Sequence, residues 1–207
     1  QEYTAFPLNE RRAKLEEFSS SRTHPRYRLS QIVPFSDWEE AKKIQASSRQ
    51  IGAEGLMLKK LSSAYVTGRK RGVWWKFKVE PYTLDAVLLY AQAGSGKRSN
   101  LFTDYTFALW EGDKLVPFAK AYSGLDNSEI EELDRWIRRN TLEKFGPVRS
   151  LKTHHVFEIG FEGIARFSRL KSGIAVRFPR ILRWRRDKKV DDADKLDDAK
   201  KLIEAHV

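Results

Sequence analysis

Residues 72–79 read GVWWKFKV, and two of them, Lys76 and Lys78, alternate within an otherwise apolar run. A strand turns successive side chains to opposite faces, so Val73, Trp75, Phe77 and Val79 share one face and Trp74, Lys76 and Lys78 the other. Two ammonium groups on one strand face lie about 6.6 Å apart and repel by roughly 0.6 kcal/mol in water, or about 2.5 kcal/mol at an effective dielectric of about 20. Exposed, the pair costs almost nothing; inside a cleft it calls for an anion. Two further stretches carry similar potential. EGLMLKK (54–60) sets a carboxylate ahead of a short apolar strand, and RFPRILRWRRDK (177–188) is an arginine-rich strand. Taken singly these read as a solvated strand face, a strand-edge carboxylate and a phosphate-facing surface.

The elements that must position them follow from pattern and punctuation. LNERRAKLEEF (8–18) is helical, with Leu8, Leu15 and Phe18 as its core contacts; 19–26 is a loop, and RYRLSQIVPF (26–35) reads as a strand. SDWEEAKKIQASSRQIG (36–52) opens on the capping box Ser36–Glu39 and closes as a helix at Gly52. The strand EGLMLKKL, the basic loop TGRKRG (67–72) and the 72–79 strand complete this part, and Pro81 bounds it. Strands then predominate: DAVLLYAQA, the turn GSGK (94–97), SNLFTDYTFALW, the turn EGDK, and LVPFAKAY. A helix over 128–145 carries the box Ser128–Glu131, with Ile130, Leu133, Ile137 and Phe145 on one face. HHVFEIGF and IAVRFPRILRWRR (174–186) are further strands. Short strands with one helix among them predict a small Greek-key barrel of the OB type. The fold class expected is α+β, with a first domain over 1–81, an OB barrel over 82–189 and an acidic, helical tail over 190–207.

Composition narrows the partners. The 207 residues carry a formal charge of +11 and a pI near 9.8, which favours a polyanion. No apolar run approaches the roughly 20 residues that span a bilayer, and QEYTAFPLNERRAK lacks the apolar region of a signal peptide, so no membrane partner is expected. The absence of cysteine excludes a disulfide frame and fits a cytoplasmic location. Residues 165–189 hold ten Lys/Arg against one acid, whereas 190–207 hold three Lys against six acids. Such asymmetry favours an interaction surface.

In this order the three stretches resemble motifs IV, V and VI of the covalent nucleotidyltransferase superfamily, specifically bacterial-type ATP-dependent DNA ligases. LNERRAKLEEF, GSGKR and FEIGFEGI (157–164) are similar to other segments of that family, so the resemblance covers nearly the whole chain. Two departures stand beside it. The K-x-D-G box that holds the family's nucleophile is missing (the nearest string is KVDD, 189–192), and so is the central motif with its adenine-stacking aromatic. The chain opens on Gln1 and runs straight into a charged helical pattern. The expectation is therefore the end of an adenylation domain plus an OB domain. It would be part of an enzyme that seals nicks in duplex DNA through a lysyl-AMP intermediate, and unable to self-adenylate without its N-terminal part.

The resemblance implies roles. Lys76 and Lys78 would meet the α-phosphate of ATP, which answers their mutual repulsion. Glu54 would hold Mg²⁺, an ion that takes oxygen ligands and keeps much of its water. Met57 would pack on adenine, although strict alternation puts it on the face opposite Glu54 unless Gly55 breaks the strand. Arg185, Asp187 and Lys188 match the R-x-D-K of motif VI and would orient the β,γ-phosphates. Arg69, Lys70 and Arg71 of the basic loop, with Arg166, Arg169 and Lys171, would meet DNA backbone. Arg177, Arg180 and Arg183 would bind either phosphate source. The OB domain would swing about a hinge near 79–84 and close on nicked duplex, in a cytoplasmic, nucleoid-associated setting. Two alternatives stay open: an OB-type DNA-binding module without chemistry, and an RNA ligase or capping-type enzyme. The remaining features have plainer explanations. GSGKR lacks the spacing and the Ser/Thr of a P-loop, His154–His155 alternate across a strand, and Trp38, Trp110, Trp136 and Trp184 suit a core or an interface.

Overall fold

The computed structural model describes residues 2–22, 24, 26–96 and 99–204. Lys97 and Arg98 of GSGKR, the ends of the chain at Gln1 and 205–207, and Thr23 and Pro25 of the 19–26 loop lie outside the described residues. The chain divides into two units, Gln1–Val79 and Glu80–Val207.

In the first unit α1 (Leu8–Ser20) buries none of its residues, and Leu15 and Phe18 are exposed where core contacts were expected. It is tied down instead by polar bonds, Arg11 donating to the carbonyls of Phe6 and Ser63 and Arg12 to that of Ser30. Residues 27–35 carry no strand. Arg28, Ser30 and Gln31 interrupt the apolar run, and among the described residues no strand pairs with this backbone. Helix α2 (Trp38–Ser47) is capped by Asp37, whose side chain accepts the Glu40 N–H at 2.8 Å, one residue later than the box at Ser36. Ser36 donates its N–H and hydroxyl to the Glu40 carboxylate, holding it below its usual pKa. A 3₁₀ turn over Ser48–Ile51 ends at Gly52 in the left-handed region, as expected. Strands β1 (Gly55–Lys59) and β2 (Trp74–Lys78) form an antiparallel pair. Ala41 is the one buried apolar residue among the described residues of this unit.

The second unit is a curled antiparallel sheet, a half-barrel of the OB type. Its spine is β3 (Tyr82–Ala93), paired with β4 (Phe102–Glu111) on one edge and with β8 (Val156–Phe161), then β7 (Val148–Leu151), on the other. β5 (Lys114–Ala121) pairs with β4, β6 (Thr141–Phe145) with β7, and β11 (Arg180–Trp184) with β8. Register shifts in the β3–β4 and β4–β5 ladders mark bulges, which bend strands and let the sheet curl. Leu84, Ala86 and Leu88 of β3 turn inward against Phe107, Phe157 and Ile159. Helix α3 (Asn127–Asn140) packs Leu133 and Ile137 into the same core.

Three details differ from the sequence reading. The α3 capping box is Asp126–Glu129, because the aspartate two residues earlier takes the cap. The helix stops at Asn140, so Phe145 stands exposed on β6. The stretch 174–186 is two strands: β10 (Ile174–Arg177) pairs with β9 (Gly163–Arg166) and β11 with β8. The break falls at Phe178, whose φ is +52°, and Pro179, which has no N–H for a ladder. Residues 190–204 pack against the barrel, with α4 (Leu196–Glu204) burying Leu196 and Ala199 in the core.

His155 sits edge-on to Trp136 and Trp184 at ring-centroid distances of 4.4 and 4.8 Å. Burial, reinforced by His154 and Arg186, pushes its pKa from 6.5 down to about 4. Between those values the unfolded chain binds the proton and the folded chain does not, so stability rises with pH across this window and is lost as pH falls. Thermal melts from pH 7 to pH 4 should show a steeper loss for the native protein than for His155→Phe; equal slopes would remove His155 from the acid response.

Candidate functional site

The β1–β2 hairpin sets the chemistry-bearing residues of the first unit. Its register pairs Met57 with Lys76 and Gly55 with Lys78, so Met57, Lys76 and Lys78 share one face. Lys59 and Trp74 lie on that face too, with the Lys59 ammonium 4.4 Å from the Trp74 ring centroid. Leu56 and Phe77 occupy the other. The carboxylate of Glu54 reaches the Lys78 ammonium at 3.5 Å, although alternation assigns Glu54 to the far face. The cause is Gly55, with φ +127° and its backbone pressed against β2: a Cβ there would lie 2.2 Å from the Phe77 carbonyl oxygen. Only glycine fits, and the turn it permits swings Glu54 round to the lysines while Glu54 O still accepts the Val79 N–H at 3.1 Å. Gln45 of α2 donates to the carbonyl of Lys78 and fixes the end of β2.

The face is open. Lys76 and Lys78 are exposed and Met57 is 49% exposed. Lys76 has no ion-pair partner among the described residues, so Glu54 leaves the face with cationic charge in excess. The same chemistry fits the groups the resemblance implies. Two ammoniums suit a phosphate, and one accessible carboxylate beside them suits a magnesium ion that takes its other oxygens from phosphate and water. Trp75, expected on the core side, is 49% exposed.

In the second unit, Arg185, Asp187 and Lys188 form one network. The guanidinium of Arg185 takes Asp187 as a fork, Nε to Oδ1 at 3.0 Å and Nη2 to Oδ2 at 2.7 Å, which holds Asp187 down at about pKa 2. Nη1 of Arg185 donates to Asp85 at 2.7 Å, and the Lys188 ammonium meets the same Asp85 oxygen at 2.7 Å. Asp85 was not foreseen, yet it is the one charge inside the apolar run TLDAVLLYA, and a buried charge needs a partner. Arg186 grips Glu132 of α3 through both amino nitrogens at 2.7 Å and lowers its pKa.

The remaining arginines sort by partner. Arg180 is paired at 2.9 Å with Glu162, whose side chain is 6% exposed, Arg183 with Glu158 at 3.3 Å, and Arg177 lies over the Phe178 ring at 5.0 Å. Arg166, Arg169 and Lys171 are exposed around the β9–β10 turn, and Arg69, Lys70 and Arg71 are exposed on the first unit's loop. His154 and His155 lie just before β8 with their rings 4.7 Å apart. No helix is long and apolar enough to cross a membrane among the described residues.

Two family models match this chain. The ATP dependent DNA ligase domain covers residues 1–78 and the ATP dependent DNA ligase C terminal region covers residues 98–188. The chain belongs to the ATP-dependent DNA ligase family. A probable DNA ligase of Koribacter versatilis is 42% identical over 164 residues, covering 79% of this chain and 28% of that protein. A DNA ligase of Methanoculleus marisnigri is 33% identical over 191 residues, covering 92% of this chain and 34% of that protein. The chain thus spans about a third, or less, of the curated relatives' length. Among solved structures, a Lig E DNA ligase aligns with a TM-score of 0.64 at 20% identity, over 88% of this chain and 60% of that one. The ligase domain of M. tuberculosis LigD aligns at 0.50 and 19% identity, over 94% and 62%. These two share its fold.

Gly55→Ala should destabilise the hairpin by at least about 2 kcal/mol, since it adds a strained φ to a backbone clash. Gly52→Ala, at φ +71° with nothing within 4 Å of the added Cβ, should cost about 1 kcal/mol. Denaturant unfolding of both variants checks the ranking; equal losses would show that the close approach to Phe77 is not what requires glycine.

Proposed function

We propose that these residues form the phosphate-handling and DNA-closing part of an ATP-dependent ligase that seals nicks in duplex DNA. The observation that carries this reading is the hairpin face, where Lys76, Lys78 and Met57 stand together and Glu54 is turned back to reach Lys78. In the first step a lysine amine attacks the α-phosphorus of ATP, a P–N bond forms, and the P–O bond to pyrophosphate breaks. Lys76 and Lys78 neutralise the oxygens of that crowded phosphorus, where positioning and charge stabilisation supply most of the catalysis. Glu54 would hold Mg²⁺, which when bound would add further positive charge at the phosphates. Met57 rests against the adenine, and Arg185 and Lys188 handle the β,γ-phosphates.

The attacking lysine belongs to residues beyond these 207. No K-x-D-G string occurs in them, and the matched curated ligases are about three times as long or more. The first unit agrees, with Ile32, Trp38, Ile51 and Leu61 all more than 60% exposed. Apolar surface of that extent suits a unit completed by further chain. The basic residues of the OB domain, Arg166, Arg169, Lys171, Arg177 and Arg183, meet the duplex backbone after the domain turns about the boundary near residues 79–84. Binding is therefore tolerant of sequence and sensitive to salt.

Incubation with labelled ATP and Mg²⁺ tests the division of labour. This chain alone should gain no covalent AMP, whereas an intact ligase carrying it should, and Lys76→Ala in that enzyme should slow adduct formation by roughly 100-fold. A lysyl adduct on this chain alone, or an unchanged rate in Lys76→Ala, would overturn the reading.

A further inference from the structure

Asp85 is 8% exposed on the outer face of β3 and has no part in the roles assigned above. A single oxygen, Oδ2, receives both Nη1 of Arg185 and Nζ of Lys188 at 2.7 Å, so the two cationic nitrogens are held at most twice that distance apart. Without a shared carboxylate, two such charges would separate. Asp85 is itself held firmly. Its N–H donates to the Asp194 carboxylate at 2.7 Å, and its carbonyl accepts the Asp194 N–H at 2.8 Å. The segment 190–194 thereby acts as a clasp behind it, with Trp110 donating its indole N–H to the Val190 carbonyl.

The second carboxylate on Arg185 is of another kind. The Asp187 side chain is 64% exposed and the Asp85 side chain 10%. Asp187 fills the guanidinium fork, the geometry a phosphate oxygen pair also fits, from a position where it can swing into solvent. Arg185 uses three of its five N–H donors on these two aspartates, and Lys188 one of three on Asp85. A phosphate can therefore displace Asp187 from the fork and draw on the spare donors while Asp85 keeps its hold on both cations.

We propose that Asp85 is a positioning residue: it locks Arg185 and Lys188 into one preformed clamp for the β,γ-phosphates, and Asp187 is the exchangeable partner that those phosphates replace. The proposal rests on the ligase reading, and it assigns Asp85 to the one step that involves a triphosphate. A nick supplied already adenylated carries no β,γ-phosphates, and its sealing should not depend on the clamp.

The test is made in an intact ligase carrying these residues, with lysyl-AMP formation followed across ATP concentrations and sealing of a pre-adenylated nick measured alongside. Asp85→Asn should slow maximal lysyl-AMP formation by roughly tenfold to a hundredfold, the scale expected when charged groups shift by about an ångström, and change pre-adenylated sealing by less than about twofold. Should that variant fail to fold, Asp85→Glu keeps the charge but displaces it, and the same split must appear with a smaller factor. An equal loss in both steps would reduce Asp85 to a purely structural ion pair, and no loss in either would remove it from the reaction. A native enzyme that forms no lysyl-AMP would sink the ligase reading itself, which separates that failure from a failure of the Asp85 assignment.

Discussion

Like charges held close together are the constraint on which both units depend. In the first, two ammoniums project from alternate residues of one strand, and the Glu54 carboxylate is brought to one of them, Lys78, by a backbone turn that only glycine permits. In the second, a guanidinium and an ammonium meet on one oxygen of a buried aspartate. Each arrangement concentrates positive charge beside carboxylates that the fold supplies, Glu54 in the first and Asp85 with Asp187 in the second. Such clusters persist where the fold supplies the carboxylates, and a ligand can take the place of an exposed one.

The two units support their clusters differently. The OB barrel has a continuous core from β3 through α3 to α4, so its cationic clamp stands on rigid backbone. The first unit has almost no core of its own among the described residues, and its hairpin is held mainly by the β1–β2 ladder and by polar bonds from Gln45 and Arg11.

Much of this was legible in the sequence. Alternation alone located Lys76 and Lys78 on one face, and the strand–turn spacing gave the barrel. Helix starts slipped by one or two residues because each contains two overlapping boxes, Ser36–Glu39 with Asp37–Glu40 and Ser128–Glu131 with Asp126–Glu129, and aspartate took the cap in both. Glu54 departs from strict alternation at Gly55, the residue the sequence offered as a break, and the φ of +127° there is what turns its carboxylate to Lys78. Asp85 and Asp194 were passed over because their partners lie far away along the chain: Arg185, for example, is one hundred residues from Asp85. Residues 190–207 read as an acidic, helical tail, and α4 is that helix; what the tail reading left out is that Leu196 and Ala199 pack into the barrel core.

Amine-reactive labelling of an intact ligase, resolved lysine by lysine, examines the central assignment most directly. If Lys76 and Lys78 face the α-phosphate, ATP with Mg²⁺ should suppress their modification while Lys70, on the exposed loop, reacts as before. Equal labelling of all three with and without nucleotide would contradict it.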